Sequence, residues 1–300
     1  MTLHMGRAVP HVVGNFHTLV YIRVSVNDQL AACATNAVNV LTRLNERASR
    51  QQRHKETHEQ PSDSDESDEK QGYQEKRSNR DHLHLSLCKP MYLKRQFIRP
   101  FKDRIEEALK HVKPFYLILD KNIAVCANEE HNSFFAVLPV EQQCNLRSIL
   151  PLIDIVDDVA QIFGYPKYYE QRQPHVSLAV TGKLTDVMNQ LYKNQPNINE
   201  EHYSSHHWMN VQNCLDKVEQ IEREKEQHAL SQSKDDADSD IEQCPEQSAE
   251  TVVQYTINED VMKTYTKDDT LQDNEPICIY VEKIHVLIGA QETAIQLRNV

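Results

Sequence analysis

No stretch of this chain approaches the 18 consecutive apolar residues that mark a membrane-spanning helix. The opening "MTLHMGRAVPHVVGNFHTLVYIRVSV" also lacks the basic start, apolar run and small-residue cleavage site of a signal peptide. Neither a membrane association nor a targeting leader is therefore expected. Glycine is scarce, with 6 among 300 residues. The seven cysteines (Cys33, Cys88, Cys126, Cys144, Cys214, Cys244 and Cys278) are odd in number, scattered and never spaced CxxC, which suits a reducing compartment rather than a disulfide framework. The 15 histidines show no paired ligand spacing with those cysteines, so structural zinc is disfavoured and no metal or cofactor is assigned.

Charge is present but unevenly spread. The net charge is -12. Residues 55–80 carry -3 of it and residues 195–275 carry -14; taking both from the total leaves +5 on the segments that look foldable. Residues 51–80, containing "SDSDESDE", are polar and nearly free of aliphatic side chains, the composition of a solvated insertion and, on a minority reading, of an acidic phosphorylation target. Residues 195–275 read the same way, apart from a helix-prone run at "NCLDKVEQIEREKEQHAL".

Between these stretches the apolar periodicity predicts ordered elements. "FHTLVYIRVSV", 16–26, alternates as a strand with Val20, Ile22, Val24 and Val26 on one face, and a helix is expected near 36–50. Phe101, Ile105, Ala108, Leu109 and Val112 recur at helical spacing. Strands are expected at "FYLIL", "IAVC" and "SFFAVL". Leu146, Ile149, Leu150, Ile153, Val156, Ala160 and Phe163 form a second helical stripe, stopped by Gly164 and Pro166. A strand at "HVSLAV", a short helix around 184–193, and a closing hairpin of "CIYVEKIHVLI" and "TAIQLR" complete an α+β order.

The chemistry is concentrated in two strands. "RDHLHLSLCKP" places His82, His84 and Ser86 on alternate residues, hence on one face, and "HLS" is matched by "HVS" at 175–177. Each motif delivers one imidazole and one hydroxyl in the same direction. Residues two apart on a strand stand about 6.5 Å apart, too far for a serine nucleophile and its base. Two such motifs brought together across a cleft suit phosphoryl transfer instead. One imidazole takes a proton from an attacking hydroxyl, the other returns one to the leaving oxygen, and the serines hold non-bridging oxygens.

With these residues in view, the chain resembles the two-histidine (2H) phosphoesterase superfamily and, more narrowly, the U6 small nuclear RNA phosphodiesterase family. "PHVVGNFHTLVYI", "LHLSLCKPMYLKRQFIRPF", "YYEQRQPHVSLAV" and "VEKIHVLIGAQETAIQL" carry the likeness. The resemblance implies a two-lobed α+β fold, with antiparallel sheets lining a central cleft and helices outside. It implies one domain over 8–300, interrupted by disordered insertions at 51–80 and 195–275. It also implies a metal-independent 3′-to-5′ exoribonuclease, monomeric and nuclear, that trims the oligouridine tail of U6 RNA and leaves a 2′,3′-cyclic phosphate. Residue by residue it makes His84 and His175 catalytic, Ser86 and Ser177 substrate-binding, and Tyr169 the aromatic that stacks on the terminal base. The family mechanism makes His175 the base and His84 the acid, an assignment the residues themselves leave open. The closing turn departs from the family, reading "IGAQET" where members carry a more basic one.

Blander readings stand beside these. His82 is expected to flank the site, and "SSHHW" at 204–208 to be solvated rather than metal-binding. Tyr168 and Tyr169 also fit a core. Lys89, Lys94, Arg95, Arg99 and Lys102 suit an RNA backbone or an exposed helix face equally well. The rival functions are another 2H phosphoesterase, acting on cyclic phosphates or 2′,5′ linkages, and an inactive scaffold binding RNA or a partner.

Overall fold

The structure, a computed structural model, describes residues 14–56, 81–128, 133–170, 172–182, 209–210, 223, 253–265 and 276–298. The alternating run near the start forms β1 (Asn15–Ser25), with Val20, Ile22 and Val24 buried as its periodicity predicts. Asn27 then caps α1 (Asp28–Glu56): its side-chain oxygen accepts the Leu30 backbone N–H at 2.9 Å. This helix begins eight residues before the expected start at 36 and runs six residues into the expected insertion at 51–80.

The first HxS motif lies on β2 (His82–Ser86), followed by a strand the periodicity did not reveal, β3 (Met91–Lys94). Next come α2 (Ile98–Leu109), burying Phe101, Ile105 and Leu109, then β4 (Phe115–Leu119), β5 (Ala124–Ala127) and β6 (Phe134–Pro139). The Glu141 carboxylate accepts the backbone N–H groups of Gln143 and Cys144, starting the short α3 (Gln142–Cys144). A π-helical turn (Asn145–Ile149) joins it to α4 (Leu150–Ile162). Gly164, at φ 77°, turns the chain out of α4 in the left-handed conformation that glycine adopts without strain.

The second HxS motif lies on β7 (His175–Thr181). After it come β8 (Met209–Asn210), β9 (Val253–Tyr255), a short helix (Glu259–Tyr265), β10 (Ile277–Val281), β11 (Lys283–Ile288) and β12 (Gln291–Gln296). Ten described strands form one antiparallel sheet with the path β12-β11-β1-β2-β7-β6-β5-β8, to which β3 adds on β1 and β9 on β7. β10 and β4 pair separately. α1 packs behind β7, where Asn45 Nδ2 donates to Thr181 Oγ1 at 2.9 Å between two buried side chains.

Two expectations are corrected. The run "CIYVEKIHVLI" is not one strand but breaks at Glu282, because the buried phase changes there: Ile277 and Val281 face the core before it, and Ile284, Val286 and Ile288 after it. Residues 195–275 are not wholly an insertion outside the fold. β9 extends the sheet beside β7, and Ile257 and Met262 are buried, so this part has apolar side chains with a core to join. The helix expected at 184–193, "SSHHW" and the acidic run lie outside the described residues. Among the described residues no helix is long and apolar enough to cross a membrane.

Candidate active site

β2 and β7 lie edge to edge in antiparallel pairing, with Leu85 opposite Val176, rather than facing each other from separate sheets. Both apolar residues are fully buried, each contributing about 1.5–3 kcal/mol of burial. A one-residue slip would expose Leu83 and Leu85 and drive His84 and Ser86 into the core, so the apolar face holds the register. The same alternation lifts the four motif residues onto the opposite face. Antiparallel register around the Leu85–Val176 pair sets His84 beside Ser177 and Ser86 beside His175. The histidines therefore occupy one diagonal of a four-cornered site, with the serines on the other; such diagonal neighbours stand about 7–8 Å apart.

These four residues line one pocket of about 120 Å³ together with Cys88, Pro90, Tyr168 and Tyr169. All five residues singled out from the sequence are thus brought together. His82 faces the same side of β2 but lies outside the lining. Its Nδ1 sits 2.6 Å from Asp81 Oδ1 and 2.8 Å from Arg23 Nη2. Of the five basic residues after the first motif, Lys89 reaches the site, with Nζ 4.4 Å from the centre of the Tyr169 ring. Arg99 instead pairs with Asp103 along the exposed face of α2.

The two imidazoles have different surroundings. His175 Nδ1 lies 2.8 Å from the Gln173 carbonyl oxygen, which only accepts, so Nδ1 carries the hydrogen and Nε2 is the basic nitrogen of the neutral ring. Burial holds this imidazole below its ordinary pKa, against the opposing pull of the Gln173 carbonyl. His84 packs instead against Tyr21, ring centroids 5.8 Å apart and planes at 78°. The nearby Cys88 thiol is pushed up to about 12 by burial and is no nucleophile at neutral pH.

Three supports were not legible as site residues. Asp157, buried on α4, accepts the Tyr168 backbone N–H at 2.8 Å and pairs with Arg172 at 3.6 Å, clamping the loop that presents Tyr169. Thr256 Oγ1 donates to the Ser177 carbonyl and its N–H to the Leu178 carbonyl, tying β7 down from a stretch expected to lie outside the fold. A register shift on the other side of β7, where Val137 faces Ser177 and Ala136 faces Ala179, twists the strand next to the site. The bulge leaves no trace in the alternation. Asp157 falls in phase with Ile153 and Ala160 on the buried face of α4, an irregularity within an apolar stripe, whereas one Thr far along the chain carries no local signal.

Burial of neutral histidines has a consequence for stability. His285, like His175, is held below the ordinary imidazole pKa of 6.5 by burial. Below pH 6.5 the unfolded chain therefore takes up protons before the fold does, and stability present above that pH is lost as pH falls. Melting followed by circular dichroism should show Tm falling between pH 7.5 and pH 5.5. A flat Tm over that interval would show both rings to be as solvated in the fold as in the unfolded chain.

Among the described residues no group of three or more His, Cys, Asp or Glu is arranged to hold a metal ion. A family model, HVSL, described as an uncharacterised conserved protein, matches residues 2–296, and its name spells the four residues His175 to Leu178. U6 snRNA phosphodiesterase 1 of Dictyostelium discoideum is 27% identical over 96 residues, covering 32% of this chain and 34% of that protein. U6 snRNA phosphodiesterase 1 of Danio rerio is 33% identical over 99 residues, covering 33% and 35%. The chain thus spans about a third of the length of these curated relatives. Among solved structures, Kluyveromyces marxianus Usb1 covers 95% of this chain and 100% of its own at 12% identity and a TM-score of 0.44. Its form with uridine monophosphate has the same coverage at 13% identity and a TM-score of 0.45. Over the aligned third the chain is similar to these U6 snRNA phosphodiesterases, and by the model that matches nearly its whole length it belongs to the HVSL family.

Proposed function

We propose that this protein is a metal-independent RNA phosphodiesterase that shortens uridine-rich single strands from the 3′ end. The reading rests on one observation above all: the Leu85–Val176 pairing, which sets two imidazoles and two hydroxyls at the corners of one pocket. A phosphate centred there meets an imidazole from two opposite corners and a serine from the other two. His175 Nε2 takes the proton of a ribose 2′-hydroxyl as its oxygen bonds to phosphorus. His84 gives a proton to the 5′-oxygen as the bond from that oxygen to phosphorus breaks. Ser86 and Ser177 donate to the non-bridging oxygens, where charge accumulates. The products are a 2′,3′-cyclic phosphate on the shortened strand and a released nucleoside with a 5′-hydroxyl. Protons then exchange with water to restore both rings.

The names of the two curated relatives supply the substrate, U6 RNA, and the expected residence in the nucleus follows from it. Tyr169 offers a ring on which a terminal base stacks, with Lys89 adding charge nearby. On this reading the strands on either side of the β2–β7 seam are the two lobes of a 2H fold, within one monomeric domain over 8–300. The test is to incubate the purified chain with a 3′-oligouridylated RNA in EDTA and weigh the products. Stepwise shortening with a cyclic end is expected. Bound but uncut RNA would favour a scaffold, and cleavage confined to 2′,5′ linkages or cyclic phosphates a different 2H activity.

A further inference from the structure

Tyr21 stands between the site and a second polar cluster on the same sheet face. The register places it opposite Ser86 on β2 and opposite His285 on β11. Its ring meets His84 edge to face, and stacks on His285 at 5.5 Å and 29° and on His82 at 6.2 Å and 6°. Its hydroxyl donates to Glu292 Oε1 at 2.7 Å, and the same oxygen lies 2.7 Å from His285 Nδ1. A buried ring held by three imidazoles and anchored at its hydroxyl has one orientation available, and the edge of His84 is packed against it.

We propose that Tyr21, locked by Glu292 and His285, is a positioning residue for His84, holding its imidazole in the orientation from which the proton is delivered. The kinetic side of this rests on the two-histidine reaction proposed above. The groups facing His84 are Tyr21 and Arg23 on β1, His82 on β2, His175 and Ser177 on β7, and beyond Tyr21, His285 on β11 and Glu292 on β12. Burial alone would raise the Glu292 pKa, but the Tyr21 and His285 donors bring it below the ordinary value. The carboxylate is therefore ionised at neutral pH, and its charge favours the protonated form of His285, on which the Tyr21 ring stacks.

The experiment uses the full chain with Tyr21→Phe, Glu292→Gln and the double variant. Tyr21→Phe keeps the ring and loses only the anchor. Each single variant is expected to lower kcat about tenfold with KM within about twofold of wild type. The double variant should be no worse than the poorer single, since both remove one unit. Without RNA, the His84 Cε1–H resonance, identified by its loss in His84→Ala, should move in Tyr21→Phe, and the titration midpoint of His285 should fall in Glu292→Gln. An unchanged kcat, additive losses, or a fall in kcat with the resonance and midpoint unmoved would overturn the proposal. If the wild type cuts no RNA the reaction assignment fails by itself, and the resonance then decides the positioning role.

Discussion

His84→Ala and His175→Ala are each expected to lower the rate of 3′ shortening about 10²–10⁴-fold, the usual contribution of a placed acid or base. RNA binding should change little, because the two serines and Tyr169 are untouched. The double variant should be hardly slower than either single one, since a proton taken at one corner of the site and a proton returned at the other belong to one displacement. Single-turnover gels with the wild type and three variants measure this directly. Losses that multiply in the double variant would mean that the two rings act in separate steps. The pH–rate profile adds a check on the roles. If His175 is the base, as proposed, its burial and the commitment of Nδ1 to Gln173 should let it work down to more acidic pH than an ordinary histidine. The acidic limb of the profile should therefore lie below pH 6.5.

Tyr169→Ala should act on affinity instead. Base stacking contributes about 1–3 kcal/mol per base, so KM for oligouridine-ended RNA should rise about 5- to 150-fold while kcat moves less. Tyr169→Phe keeps the ring face and should retain most of the affinity. A Tyr169→Ala variant with unaltered KM would put the base elsewhere. Asp157→Ala gives an independent route to the same result. It removes the acceptor of the Tyr168 N–H and one of the two carboxylates on Arg172, the other being Asp154, so the clamp on the loop bearing Tyr169 is weakened. A stability loss of about 1–3 kcal/mol should accompany the higher KM. Denaturant melts alongside the kinetics separate this variant from Tyr169→Ala, which leaves the clamp in place.

By itself the sequence determined which residues form the two HxS motifs and on which face of its own element each lies. Alternation in β1, β2 and β7 and the stripe of α4 are local properties, produced by burying one side of a short segment. The stop at Gly164 is local in the same sense, as is the phase change at Glu282. Partnership was decided by the tertiary structure. Leu85 finds Val176 across 91 positions, Tyr21 reaches Glu292 across 271, and Thr256 straps Ser177 from a stretch whose composition marked it as solvated. No periodicity encodes such pairs, because the energy that selects them is the burial of a core shared by distant segments. That core faces away from the pocket, and by fixing the register on its own side it fixes which polar groups meet on the other.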